Sequence, residues 1–197
     1  MTVSFEYDFD RALAAMVYIA TKGVSDLDKY KICKLIFLAD KLHLVRYSRP
    51  ITGDVICAMQ HGPVPSQTLN ILNDLIAEDT RDTRVSLLQG YLEVERKYYY
   101  PRFTARQTLD FEEYLSQSDI QALEETLHKH GKKTFDELKA LTHEMPSYIE
   151  AWGSRDCNNP RMRFETLFVE DSDAIQGALE EMVENDELRN AFGVTTV

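Results

Sequence analysis

Lys34-Leu35-Ile36-Phe37-Leu38-Ala39-Asp40-Lys41-Leu42-His43-Leu44 is the stretch that decides the architecture. With its flanks it sets Leu27, Tyr30, Leu35, Leu38, Leu42 and Val45 around one broad face, which Ile32, Ile36 and Leu44 widen. That spacing predicts a helix too apolar to lie on a surface, so it belongs in the middle of a bundle. Ser25 and Asp28 precede it in the pattern of a capping box. Lys34, Asp40, Lys41 and His43 interrupt the apolar run, which therefore does not read as a membrane span.

Upstream, Phe9, Leu13, Met16, Val17 and Ala20 recur at helical spacing, and Gly23 closes a helix over Phe9 to Lys22. Downstream, Arg49-Pro50 and Thr52-Gly53-Asp54 are turn chemistry, and Val55 to Met59 reads as a short strand ending at His61-Gly62-Pro63. Pro65 and Ser66 open a helix through Leu69, Leu72, Leu75 and Ile76 that ends near Glu78. Val85 to Leu88 and Tyr91 to Phe103 are rich in β-formers, with Gln89-Gly90 as the bend between them. In the second run Leu92, Val94, Arg96, Tyr98 and Tyr100 share a face by period two, and the Val55 to Met59 strand is expected beside this pair. Helical signals return with Ser118 and Gln121 before a helix stopped by Gly131, with Thr134 and Glu137 before another, and with Pro146 to Trp152. The expected fold is α+β and mostly α: a helical bundle with a small antiparallel β-sheet.

Composition narrows the function. The 197 residues are 44% hydrophobic and 28% charged, which is globular usage. Twenty-two Lys and Arg against 33 Asp and Glu leave a net charge of −11, which repels phosphate backbones and anionic lipid and attracts a basic protein. The partner classes expected are therefore protein, with no nucleic acid and no membrane. Cys33, Cys57 and Cys157 form neither a C-x-x-C pair nor a disulfide framework, which points to a reducing, cytoplasmic setting. The N-terminus is acidic where a secretion signal needs base. After Gly153 a break at Arg155 to Pro160 leads into a strongly acidic segment in which Ile175, Leu179, Met182 and Val183 still recur at helical spacing. Two parts are expected: a core over 1–155, and an acidic helical extension over 156–197 packed on it or projecting from it.

The search for chemistry returns no catalytic set. No two of the five histidines stand at the i, i+4 spacing that shares a metal, so no metal is expected, and with no nucleotide-binding signature no cofactor is expected either. Cys57 and His61 would lie about 13 Å apart along a strand, too far for a nucleophile and its base. Nucleotide, hydrolase and protease signatures are missing. Arg96-Lys97-Tyr98-Tyr99-Tyr100-Pro101-Arg102 combines base and aromatic residues as single-strand binders do, but the net charge favours tyrosines filling a sheet's core face. His61-Gly62-Pro63-Val64-Pro65 concentrates conformation-fixing residues, as either a rigid corner or a fixed recognition edge.

Three segments together carry a resemblance: Lys34 to Leu44, Tyr47-Ser48-Arg49-Pro50-Ile51-Thr52-Gly53-Asp54, and Ala58-Met59-Gln60-His61-Gly62-Pro63-Val64-Pro65. A second block, from Leu115-Ser116 to His130-Gly131-Lys132-Lys133-Thr134 and on through Leu138, Leu141-Thr142-His143 and Trp152, agrees in order. The chain resembles the Panacea, or SocA-like, antitoxin domain. Two departures stand out: Glu144-Met145-Pro146-Ser147-Tyr148 replaces the usual glycine-proline-tryptophan region, and the acidic extension lies outside the shared core. The resemblance implies a bacterial or phage antitoxin that is not an enzyme and neutralises a cognate toxin, encoded by a neighbouring gene, through a direct protein complex. The alternatives are an adaptor that delivers a toxin or host protein to a protease, or an enzyme that reverses the toxin's modification with His61, His143 and Asp40 brought together. A basic toxin is the expected partner, with homo- or hetero-oligomers both open. The candidate contact residues are Tyr47, His61, Val64, Tyr148 and Trp152, with Glu180, Glu184 and Glu187 from the extension. Asp40, His43, His143 and Arg49 are read as holding helix and sheet together.

Overall fold

The computed structural model describes residues 4–167. The deciding stretch lies in α2 (Lys29–Tyr47), which is central: every residue from Lys31 to Asp40 is buried. One side of α2 joins a cluster with α1 (Phe9–Thr21), α3 (Ser66–Ala77), α4 (Thr83–Tyr91) and α6 (Gln117–His130). Its Phe37, Leu38 and Leu44 join a second cluster with β1 (Ile56–Met59), α7 (Phe135–His143), α8 (Pro146–Gly153) and α9 (Phe164–Leu167). Over Lys31 to Asp40 a helix that feeds two cores has no solvent face, which is why its apolar residues run almost all round there, and only its last turns reach the surface. α5 (Phe111–Tyr114) is a single turn against α1, its Phe111 ring edge-on to Tyr18 at 4.9 Å. Among the described residues the fold is mostly helical with two small antiparallel sheets, in keeping with the α+β expectation. No described helix is long and apolar enough to cross a membrane.

The helix ends follow their caps. Asp8 accepts from Arg11 N at the start of α1, and Gly23 just beyond its end has φ +64°. Asp28 itself caps α2 by accepting from Lys31 N, so the expected Ser25 and Asp28 box is not formed; Ser25 instead gives its carbonyl to Lys31 Nζ at 2.8 Å. α6 starts earlier than expected, with the reciprocal box made by Ser116 and Asp119 rather than Ser118 and Gln121. The Thr134 and Glu137 box forms as expected. α3 begins after Pro65, which has no capping side chain, so Asp54 reaches across to accept from Gln67 N, Thr68 N and Thr68 Oγ1 at 2.8–3.0 Å.

The strands differ most from the expectation. β1 pairs antiparallel with β2 (Gly62–Pro65), Ile56 opposite Pro65 and Met59 opposite Gly62, so the proline-rich corner is a strand. β3 (Leu92–Glu95) pairs with β4 (Arg102–Ala105) in a separate sheet, not beside β1. Val85 and Leu88, expected in a strand, are the buried face of α4, because their three-residue spacing suits a helix packed on the first cluster. Arg96, Tyr98 and Tyr100 lie in the connection between β3 and β4, not on a strand face.

The chain after α8 returns to the hairpin. Ala58 N donates to Pro160 O and Met162 N to Ile56 O, both at 2.8 Å, with Cys57 bridged to Arg161. Met162 and Leu167 are buried in the second cluster. The first residues of the acidic extension are thus part of the core, and its remainder lies outside the described residues.

Candidate partner-binding site

Gly62 is the point where α2, the β1–β2 hairpin and α7 meet. Its φ is +98°, and a Cβ placed there would stand 2.5 Å from Lys34 Nζ, 2.8 Å from Thr142 Oγ1 and 3.2 Å from His143 Cδ2. Only glycine satisfies both the backbone and the space. Lys34, 1% exposed, donates to Pro63 O at 2.7 Å. Burial pulls its amine down to about 7. Thr142 Oγ1 donates to Leu138 O at 2.9 Å. His143 stacks on Tyr148 with ring centroids 4.5 Å apart, Tyr148 stacks in turn on Trp152 at 6.0 Å, and Tyr148 OH donates to Met59 O. Burial, then the charges of Lys34 and Lys139, lower the basicity of His143. Arg155 caps the stack, its guanidinium 4.1 Å over the Trp152 ring.

On the rim of this junction stands a ridge of aromatic rings. His61, exposed at the hairpin turn, lies 5.9 Å from Phe135 and 6.4 Å from Tyr30, which are themselves 5.9 Å apart. Tyr30 continues to Tyr100 at 6.2 Å, and Tyr100 to Tyr99 at 4.8 Å, mostly edge to face. Tyr99 is 92% exposed and Tyr100 54%. The ridge is set on rigid ground: Tyr30 is on α2, Phe135 on α7, and the tyrosine connection is anchored by Arg102, which stacks 3.7 Å over Tyr98 and pairs with Asp26. Solvent-facing aromatic side chains carry few rotatable bonds and bury much apolar area on binding, the character of interface anchors.

The remaining polar interior is structural. Asp40 accepts from Ile51 N, Thr52 N and Thr52 Oγ1. Burial raises its carboxyl to about 7 against the pull of those donors. His43 Nδ1 donates to Arg49 O at 2.7 Å, while its Nε2 faces Asp119 Oδ1 at 3.1 Å, tying α2 to α6. Burial opposes ionisation of Asp119, but the Arg49 guanidinium and the Ser116 donors outweigh it and hold the carboxyl low. Asp40, His43 and Arg49 therefore act as braces, but they join α2 to the 49–52 loop and to α6, not helix to sheet.

The sequence candidates are dispersed by this geometry. His61 sits in the ridge, and Trp152 is half-buried at the end of the ring stack. Val64 is a correction: it is 3% exposed, paired opposite Cys57 and packed in the first cluster. Tyr148 is another, 3% exposed between His143 and Trp152, so it braces the junction and offers no surface. Tyr47 is 44% exposed, but it lies at the far end of α2, about 25 Å from Tyr30 at helical rise, with its ring against His43. Glu180, Glu184 and Glu187 lie outside the described residues. Among the described residues the Asp40 carboxylate hydrogen-bonds to Ile51 and Thr52 and makes no bond to His61 or His143, the partners the enzymatic grouping needs. Among the described residues no group of three or more His, Cys, Asp and Glu could hold a metal ion. Tyr30 and Phe135 are not among the sequence candidates, because nothing in their spacing joins residues from separate elements, and Tyr99 and Tyr100 enter only within the basic and aromatic run read as a sheet's core face, which their exposure overturns.

Several of the segments that suggested a family meet at one place: Lys34, the His61 to Pro65 corner, Thr142-His143 and Trp152 border the Gly62 junction or its ring stack. Neither a curated protein nor a solved structure matches the chain. Residues 32–148 match the family described as antitoxin SocA-like, Panacea domain. That match spans more than half of the 197 residues, so the chain belongs to the SocA-like antitoxin family with a Panacea domain.

Proposed function

We propose that the protein is a cytoplasmic antitoxin that neutralises a cognate toxin by binding it directly, without catalysis. The aromatic ridge of Tyr30, His61, Phe135, Tyr100 and Tyr99 is the docking face. The observation that carries this reading is a tyrosine ridge exposed to solvent yet mounted on a buried three-way junction. A soluble monomer gains nothing in stability from a ring that is 92% exposed, whereas a partner gains a preformed anchor. Family membership supports the antitoxin role in general terms. The net charge of −11 favours a basic toxin and speeds encounter with it, and a neighbouring gene is the first place to seek it.

The test is co-expression with each adjacent open reading frame, scored by growth rescue and by co-elution in size exclusion, with the wild type beside Tyr99→Ala/Tyr100→Ala. Rescue with a stable complex that the double variant weakens is the expected result. Rescue without any complex would replace this reading with the adaptor or the modifying enzyme. A complex indifferent to the variant would keep the antitoxin and remove the ridge.

A further inference from the structure

Away from the ridge, α2 and α6 leave a groove of about 180 Å³ between them. Leu38, Leu42 and Val45 form its apolar floor, and Lys41, Lys129 and His130 stand along it. Lys129 also pairs with Glu125, which Arg46 binds as well, so the surrounding charge is mixed while the groove wall itself is basic. Burial, then the charges of Lys133 and Lys129, lower the basicity of His130.

Three independent features single out one occupant. The first is charge: residues 168–197 hold eight acidic residues against one base, Arg189. The second is position. Leu167, where the described chain stops, is buried in the same cluster as Leu38 and Val45, two of the three floor residues, so the acidic segment leaves the core from the cluster that supplies the groove's floor. The third is spacing. The floor residues stand at i, i+4 and i+7, and Ile175, Leu179 and Met182 repeat that interval, with Val183 next to them. Matched apolar stripes at that interval are what two packed helices interdigitate.

We propose that the α2/α6 groove is the seat of the chain's own acidic segment, residues 168–197. The Ile175, Leu179 and Met182 stripe covers the apolar floor, and the acids face Lys41, Lys129 and His130. The ridge stays open in this arrangement, and any basic partner drawn to the acids competes with the groove for them. The proposal makes no use of a toxin, so it stands or falls apart from the antitoxin reading.

Zero-length carbodiimide coupling of the full chain, followed by peptide mass spectrometry, tests it. The expected result is amide links from Lys41 or Lys129 to carboxylates between residues 170 and 187, within the monomer and at a yield independent of protein concentration. Links confined to dimers would assign the groove to a second copy and overturn the proposal. Absence of links from these lysines to the segment would overturn it as well. A second readout needs no coupling reagent: the His130 Cε1–H proton is titrated by NMR in the full chain and in Glu180→Gln/Glu184→Gln. Removing nearby negative charge lowers the midpoint in the variant, whereas an unchanged midpoint places those acids elsewhere.

Discussion

The two hairpins are built alike and used differently. Each is a pair of four-residue antiparallel strands. β1–β2 is buried along nearly its whole length, is pinned by Lys34 from below, and is flanked by the returning Pro160 to Met162 segment. β3–β4 is half solvated, and the connection that joins it lifts Tyr98, Tyr99 and Tyr100 into solvent. The first hairpin spends its residues on being held, and the second spends them on being seen. Scaffold and display are divided between two elements of equal size, with His61 the one turn residue of the buried hairpin that reaches the ridge.

Substitutions can break that division. Gly62→Ala carries the largest expected effect, because a positive φ and a clash with Lys34 and Thr142 add together. It should cost about 3 kcal/mol or more in urea unfolding, or prevent soluble expression. A loss under about 1 kcal/mol would mean that the junction yields easily. Asp54→Ala should cost about 2 to 3 kcal/mol, since it strips three donors at the start of α3 of their acceptor. Amide exchange at Gln67 and Thr68 should speed up with it.

Lys34→Met reads the buried hairpin through pH. The folded amine sits near 7 against an ordinary 10.5, so between those values the unfolded chain holds the extra proton. Stability of the wild type therefore rises with pH from 7 toward 10.5, and the penalty is complete below 7. Between pH 7.5 and 9.5 the wild type should gain about 2 kcal/mol relative to Lys34→Met, whose slope lacks this contribution. Parallel slopes would show that the amine keeps its ordinary basicity in the fold. Tyr99→Ala, on the other hairpin, should move stability by less than about 0.5 kcal/mol while weakening toxin binding by about 2 kcal/mol, roughly thirtyfold. A large stability loss there would make β3–β4 a scaffold too.

Much of the helical frame was legible in the sequence, because α1, α2, α3 and α7 carry both periodicity and a cap or stop signal in a few adjacent residues. The strands were less so. A run such as Val85 to Leu88 is too short for its period to separate strand from helix, and packing on the first cluster decided it. Gly62 to Pro65 hid as a strand because two prolines argue against a ladder, yet β2 tolerates them beside a single principal partner. The site was readable only in part. His61 announced itself through the glycine and prolines that follow it, whereas Tyr30, Phe135 and Tyr99 become neighbours only after three elements have docked. Val64 and Tyr148 misled for the opposite reason: residue type suggests contact, and burial removes it.

The return of the chain to the β1–β2 hairpin also sets an order of assembly. Pro160 bonds to Ala58 across roughly a hundred residues, a separation that makes this closure a late event. The first cluster draws mainly on residues before Leu127 and can form while the rest is still being made. Until Leu138, Tyr148, Met162 and Leu167 arrive, Phe37, Leu38 and Leu44 have only Phe5, Ile56 and Ala58 of their cluster from elsewhere in the chain to cover them. Interruption of synthesis in that interval would leave a species prone to aggregation and open to proteolysis, so the supply of finished protein depends on how quickly its last third is translated.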